Sequence, residues 1–286
     1  APQKCKHATV VSIMQNWHAR LELEFTSGYA GKTVLSHKRH EGPLLVQKTL
    51  YPEDGNICHA SILHPPSGIA GGDHLNIDIQ VHEHAHAVIN TPGATRWYKS
   101  NGQASAQHVT LQVHSDARLD WLPQENIVFE EAHATTQTTI ALQSGARIVG
   151  WETIQLGSVC ANEHWRNGQV TMDLRLTLDD RLLWIDTGCL GARDPLRKSQ
   201  SGMADFPVTA TLWAFGPKLS DEVCEQISMS LPWHDAMRAG FTQMPKNDNQ
   251  ALALIRVLGK HAQDVRQLLI EQWALLRPLV LGVPSK

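Results

Sequence analysis

The sequence has few of the features that would indicate a disulfide framework, a structural zinc site or a membrane span. Its five cysteines are scattered, odd in number and without a CxxC pair: Cys5, Cys58, Cys160, Cys189 and Cys224. Neither a disulfide framework nor a zinc site of the usual spacing is therefore expected. No apolar run reaches the roughly 18 residues of a spanning helix, and the first ten residues lack the apolar segment of a signal peptide. We expect a cytoplasmic protein without membrane contact.

Strong charge and catalytic motifs are also missing. The formal charge is -3 and the sequence pI is about 6.6, with no basic stripe, so nucleic acid is not an expected partner. The sequence contains no P-loop, nucleophile elbow or HExxH motif. Apolar residues make up 42% of 286 positions, which is enough for a real core. We predict one domain over residues 1–286 that binds partners and is not an enzyme.

Alternation of apolar and polar residues dominates the first two thirds of the chain. The pattern is clearest over residues 170–178, where Val170, Leu174 and Leu176 share one face. It also occurs over residues 17–25, 75–81 and 109–113, and turn sequences such as PPSG, SNG and DD separate these segments. Such alternation is typical of half-buried strands in stacked sheets. The sequence predicts a mainly β scaffold over about residues 15–215.

The last quarter of the chain has a different pattern and predicts a helical part over about residues 219–278. A capping-like SDE sequence precedes a short helix at residues 221–230. Apolar residues at three- and four-residue steps predict an amphipathic helix from Asn249 to Leu276, interrupted near Gly259 and closed by Pro278. Residues 191–206 and 231–249 are interpreted as loops.

The sequence is rich in histidine, with 16 residues, and HEHAH at 82–86 is the densest cluster. On one strand His82, His84 and His86 would share a face, and imidazoles so spaced can bind a metal ion together. A cupin-type site would need a glutamate shortly after them, and residues 87–90 are Ala-Val-Ile-Asn. Two interpretations stay open, an exposed polar face and a site of adventitious metal binding.

Other potential ligands are Cys58, His59 and His64, whose spacing matches no closed tetrahedral site. A buried cysteine beside a strand is the alternative interpretation. In GIAGGD the glycines predict a tight turn with a positive φ, and its amides would orient Asp73. Glu152 and Glu163 have no sequence partner that would make an acid–base pair.

Several segments together resemble one family, the urease accessory protein UreD, called UreH in some organisms. They follow one another in the family order from about Trp17 to Pro278: GPLLVQKTLYPEDGNICHASILHPPSGIAGGD (42–73), NTPGATRWYKSNGQASAQ (90–107), LDWLPQENIVFEEA (119–132), WETIQLG (151–157), LIRVLGK (254–260) and WALLRP (273–278). The resemblance implies an extended, helix-like stack of β-sheets with a few C-terminal helices.

The resemblance also implies a function, a scaffold for delivery of nickel into apo-urease. The implied partners are apo-urease, UreF, and the GTPase UreG recruited through UreF. GTP hydrolysis would belong to UreG. No tightly bound cofactor is implied, and Ni²⁺ would be held only in transit.

The family motifs fall on defined positions of this chain. They are Gly71, Gly72 and Asp73 of the GGD element, Thr91, Pro92, Gly93 and Tyr98 of TPGAxxxY, Trp121, Leu122, Pro123, Gln124 and Glu125 of WLPQE, and the acidic Glu163. Asp73 and Glu163 are candidate oxygen ligands of nickel in transit, with turn and strand-end amides as the alternative role. For Glu125 a packed turn is the favoured interpretation.

The chain departs from the family pattern at four places. The family usually has glycine where this chain has Ser67, arginine where it has Ser158, and glycine where it has Asn162. The usual ending beyond WALLRP is missing. Without that arginine Glu163 loses an expected partner. Two further hypotheses stay open: a metal-dependent enzyme using the histidine-rich strand, and an interaction module without any role in metal transfer.

Overall fold

Two large β-sheets stacked face to face form the scaffold. A computed structural model describes residues 16–53, 55–158 and 164–284. The first sheet has seven strands, in the order β15-β14-β12-β9-β6-β1-β2. These strands are β1 (His18–Ser27), β2 (Thr33–Glu41), β6 (His74–Val81), β9 (Ser105–Val113), β12 (His133–Leu142), β14 (Gln169–Leu178) and β15 (Arg181–Gly191).

The second sheet has twelve strands, nine of them in the order β17-β18-β19-β16-β13-β10-β7-β4-β3. The nine are β3 (Leu45–Val46), β4 (Cys58–Leu63), β7 (His86–Asn90), β10 (Arg118–Leu122), β13 (Arg147–Leu156), β16 (Val208–Pro217), β17 (Trp233–His234), β18 (Met237–Pro245) and β19 (Gln250–Gly259). Three short strands continue it at one side: β5 (Gly68–Ile69), β8 (Thr95–Trp97) and β11 (Asn126–Val128).

The chain winds between the two sheets in successive coils. From β6 to β13 it alternates between first and second sheet, and each strand pairs in parallel with its equivalent in the next coil. The result resembles a β-solenoid. Antiparallel strands β15 and β16 to β19 follow it. The prediction of a mainly β, stacked-sheet fold with C-terminal helices is confirmed.

Alternation in the sequence places one face of each first-sheet strand in the core. In β6 the side chains of Leu75, Ile77 and Ile79 are at most 4% exposed, while the residues between them face outward. This inner core fills the space between the sheets. A second core lies between the outer side of the second sheet and the two helices.

Turn residues fit the sharp connections between strands. Asp179 and Asp180 both have positive φ, 48° and 62°, in the two-residue connection between β14 and β15. Positive φ at both central residues is the geometry of the turn that best matches strand twist, and aspartate tolerates it. The DD turn signal is confirmed.

The two helices are α1 (Asp221–Ser230) and α2 (Ala262–Leu281). The Val223 N–H donates to the Ser220 hydroxyl, which caps α1 as the SDE sequence predicts. Helix α2 packs on β13, β16 and β19. Within the described residues, no helix combines the length and hydropathy that crossing a membrane requires.

Three expectations for the last quarter of the chain are wrong. Residues 250–259 form strand β19 rather than the first half of a helix, and residues 233–245, expected as a loop, contain β17 and β18. Pro278 lies inside α2, which ends three residues later where Gly282 adopts a φ of 71°. Of residues 191–206, Gly191 ends β15, and the rest contain only turns and a short 3-10 helix at Pro195–Arg197, as expected of a loop.

Candidate functional site

The GGD element forms a tight turn that Asp73 holds together. The Trp17 N–H donates to Asp73 Oδ1 and the Ala70 N–H to Oδ2, both at 2.9 Å. Gly72 has a φ of 89°, and a side chain at Gly71 would overlap the Ser100 carbonyl. The glycines are therefore needed for backbone geometry. Both oxygens of Asp73 have amide partners, in agreement with the turn interpretation; contact with nickel remains a prediction.

The TPG and WLPQE elements contact each other at one end of the second sheet. The Gln124 N–H donates to the Thr91 hydroxyl at 2.8 Å, and the Trp151 indole donates to the Pro123 carbonyl at 2.8 Å. Arg266 of α2 hydrogen-bonds Gln124 and approaches Glu125 to 3.6 Å. Glu125 thus lies, partly buried, in the irregular connection between β10 and β11, with Arg266 as a charged neighbour.

A cavity of about 390 Å³ lies behind these loops, between the two sheets. Six family-motif residues line it: Thr91, Pro92, Gly93, Trp121, Pro123 and Gln124. His64 also lines it. Burial lowers the pKa of this imidazole, and the negative charge of Asp73, which acts in the opposite direction, is the smaller effect. A neutral imidazole is the form that binds transition metals. Tyr98, the last residue of the TPGAxxxY element, stacks on Phe129 with ring centres 5.6 Å apart.

A second cavity of about 480 Å³ continues the inter-sheet space on the other side of Glu152. Glu152 lines both cavities. Strand alternation explains its position: Ile148, Ile154 and Leu156 of β13 face the inner core, and Glu152 has the same parity. A carboxyl group therefore stands on the apolar face of a strand, at the point where the two cavities meet.

The surroundings of Glu152 oppose its ionisation. Burial raises the pKa of Glu152 to about 7; the hydrogen bond donated by the Thr138 hydroxyl opposes the shift, and the charge of Asp186 adds to it. Asp186, on β15 of the facing sheet, lines the second cavity. Arg256 of β19 reaches Asp186 with a distance of 3.1 Å from Nη2 to Oδ2. Two carboxyl groups, Glu152 and Asp186, and two guanidinium groups, Arg238 and Arg256, thus line this cavity.

The structure separates the three histidines of HEHAH, so the expectation of one shared strand face is wrong. β6 ends at Val81, His84 has a φ of 62° in the following turn, and His86 begins β7 in the other sheet. His82 stacks on His114 with ring centres 4.7 Å apart and contacts Glu24 at 3.0 Å. Period-two spacing predicts a shared face only within one strand, and here a turn interrupts it.

Cys58, His59 and His64 are not brought together either. Cys58 and His59 are neighbours on β4, so their side chains leave opposite faces, and Cys58 is fully buried. His59 contacts Glu53 at 2.6 Å. In the described part of the chain, no group of three or more histidine, cysteine or acidic side chains could hold a metal ion. Glu163, the second candidate ligand, lies outside the described residues.

Sequence reasoning did not identify a buried charged cluster beneath α2. Arg277 is fully buried, and its Nη1 and Nη2 donate to the two oxygens of Glu53 at 2.6 and 2.9 Å. Its Nε donates to Asp120, also fully buried, at 3.2 Å. This bidentate pairing fixes the last turns of α2 to two points of the scaffold.

Three further side chains complete this buried charged cluster. The Trp273 indole donates to Asp120 Oδ1 at 2.6 Å, and His86 Nε2 lies 2.8 Å from Asp120 Oδ2. His59 Nε2 lies 2.6 Å from Glu53 Oε1. The signal that could have revealed the cluster is Asp120 itself, an acidic residue inside the apolar segment LDWL, opposite an arginine in the apolar WALLRP segment.

The comparisons with known proteins agree on one family. The family model described as UreD urease accessory protein matches residues 18–286. Urease accessory protein UreD of Bordetella pertussis is 50% identical over 272 residues, covering 95% of this chain and 96% of the relative. The protein of the same name from Cupriavidus metallidurans is 45% identical over 279 residues, covering 96% and 94%. That of Polynucleobacter asymbioticus is 39% identical over 286 residues, covering 100% and 97%.

Proposed function

The chain belongs to the UreD family of urease accessory proteins, and from this we propose that it is a scaffold through which Ni²⁺ passes into apo-urease. The two inter-sheet cavities that meet at Glu152 are the observation that carries the proposal. They contain a neutral imidazole, His64, and two carboxyl groups, which are ligands that suit a divalent transition metal.

The ligands along this route are few, as transfer requires. Within one cavity a passing ion would meet His64 and Glu152, and within the next Glu152 and Asp186. Two protein ligands with water in the other positions hold an ion more weakly than a closed site does. The ion therefore passes between sites instead of being trapped.

Partner contacts are a second part of the proposal. As a family member the chain binds apo-urease and UreF, and UreF brings the GTPase UreG. Energy input then comes from UreG, and the chain performs no catalysis of its own. Since urease assembly of this kind takes place in the cytoplasm, we place the protein there.

The first test is activation of apo-urease in cells that carry the complete accessory set, with Glu152→Gln in place of the native chain. Gln keeps the volume and the hydrogen bond to Thr138 but cannot become an anion. We expect urease activity and urease nickel content to fall by roughly tenfold, the usual range for loss of a metal-site group.

The control is Glu41→Gln, an exposed carboxylate at the end of β2 that contacts Arg39. It should activate urease like the native chain. Co-purification of the Glu152→Gln chain with apo-urease and UreF should persist, because the change is internal. Normal nickel content with Glu152→Gln would exclude this route for the ion.

A further inference from the structure

Arg256 occupies a position that the proposed nickel route does not by itself explain. Within β19, Leu252 and Leu254 face the inner core, while Ile255 and Val257 face α2. Arg256 has the parity of the inner face, and its largely exposed side chain lines the second cavity. An arginine at the wall of a cation route is unfavourable for a passing Ni²⁺ unless its charge is already engaged.

The register of the second sheet places Arg256 in one row with Glu152. Glu152 of β13 pairs with Thr211 of β16, and Thr211 pairs with Arg256 of β19. Two strand spacings separate the backbones of Glu152 and Arg256, which is about 10 Å. From there the guanidinium crosses to Asp186 on the facing sheet.

The Arg256–Asp186 pair is built so that it can open. The Arg256 side chain is 60% exposed and that of Asp186 is 36% exposed. Ion pairs with this exposure contribute little to stability, because water solvates both partners when they separate. A divalent cation with direct access to Asp186 therefore competes effectively with a single guanidinium charge.

We propose that Arg256 is a displaceable counter-ion of Asp186: it occupies this carboxylate while the route is empty and yields it when a divalent cation arrives. The inference rests on the proposed function and adds a residue that sets how tightly the route holds its ion. Competition from Arg256 lowers the affinity of the Glu152–Asp186 pair, and the return of Arg256 favours release.

Binding of Ni²⁺ to the purified full-length chain tests this inference, by competition with a chromophoric chelator. Arg256→Gln removes the competing charge, so we expect Ni²⁺ to bind roughly fivefold more tightly, the effect of losing one exposed ion pair. Arg256→Lys keeps a competing cation and should retain the native affinity. Thermal melting of each variant checks that it folds. Because the Arg256 side chain is largely exposed, we expect these substitutions to leave the fold intact.

The matched control is Arg175→Gln. Arg175 also forms a 3.1 Å pair with an aspartate, Asp173, but on the outer face of β14. It should leave Ni²⁺ affinity unchanged. An affinity for Arg256→Gln equal to or below that of the native chain would overturn the counter-ion role.

Asp186→Asn separates the two proposals. If it weakens Ni²⁺ binding in the native background and also abolishes the gain from Arg256→Gln, both proposals are supported. If it weakens binding but Arg256→Gln gives no gain, only the counter-ion inference fails. If Asp186→Asn leaves affinity unchanged, or the native chain does not bind Ni²⁺, the route and the counter-ion fail together.

Discussion

At the scale of single residues, Glu152 shows how a carboxyl group is adapted to an enclosed position. Burial raises its pKa to about 7, so that protonation of this carboxyl competes with its ionisation near neutral pH. On the proposed nickel route, an arriving cation would replace that proton, while the Thr138 hydroxyl would remain as a hydrogen-bond donor. The empty route thus carries less negative charge than its two acidic residues suggest.

Asp73 has a different role, because both of its oxygens accept backbone amides. We expect Asp73→Ala to lower the free energy of unfolding by about 1–3 kcal/mol, since the Trp17 and Ala70 N–H groups lose their partner. Urea denaturation measures this loss. Asp78→Ala, at an aspartate on the outer face of β6 that contacts Arg20 at 3.3 Å, is the control and should change stability little.

The same variant addresses whether Asp73 contacts nickel. If Asp73→Ala reduces urease activation only in proportion to the folded chain recovered, the turn accounts for the effect. A larger loss in fully folded protein would indicate a direct role for this carboxylate. An unchanged free energy of unfolding would contradict the turn interpretation.

At the scale of elements, Arg277 connects the last turns of α2 to the scaffold. The guanidinium of Arg277 is the main partner of both Asp120 and Glu53. Its removal would leave these two carboxylates without that partner. Burial opposes ionisation of Glu53, but hydrogen bonds from Arg277 and His59 outweigh it and hold the pKa of Glu53 below its usual value. This stabilisation is present above the usual carboxyl pKa and is lost as the pH falls through the lowered value.

Replacing Arg277 by methionine, which is neutral and shorter but keeps an unbranched apolar stem, should therefore be strongly destabilising. We expect Arg277→Met to lower the free energy of unfolding by about 3–5 kcal/mol, because it leaves buried carboxylates uncompensated. Urea denaturation at neutral pH measures the loss. Arg175→Met on the outer face of β14 is the control. A loss below that of an ordinary surface substitution would show that the buried charged cluster does not hold α2.

Sequence patterns predict some elements well and others poorly, for a physical reason. β14 is buried on one side only, so its alternation is clear. β19 lies between the inner core and α2, and Ala251 to Ile255 are all buried. A strand covered on both faces loses its alternation, and apolar residues at steps of three then resemble a helix.

The candidate site was only partly predictable for a related reason. Motif residues such as Thr91 and Pro123 were found and do line a cavity. Glu152 could have been noticed in the sequence, because it is an acidic residue at an inward-facing position of an apolar strand. Its neighbour Asp186, however, lies on the facing sheet. Contacts between sheets depend on how the coils stack, and residue spacing does not record this.

At the scale of the whole molecule, the proposal requires the two cavities to act as one route. Thr211 lies beside Glu152 in the second sheet and lines the second cavity. Thr211→Leu adds bulk at this place without changing charge. We expect it to slow urease activation several-fold while the melting temperature changes little, because leucine suits a β-sheet facing an open cavity.

The control for Thr211→Leu is Thr139→Leu. Thr139 is a partly exposed threonine of β12, next to Thr138 but on the outer face of the first sheet. It should leave the initial rate of activation unchanged. Equal rates for both variants would show that nickel does not need the space beside Glu152.

The contact between Glu53 and Arg277 has a consequence for synthesis, because 224 positions separate the two residues. Coils near the amino terminus are able to form on the ribosome, since each packs on its predecessor. Until the last turns of α2 leave the exit tunnel, Glu53 and Asp120 lack Arg277 and have only the contacts with His59 and His86. Long-range pairing of this kind slows the final folding step and leaves incomplete chains prone to aggregation. Premature truncation before Arg277 therefore yields a chain that quality control can distinguish from a finished one.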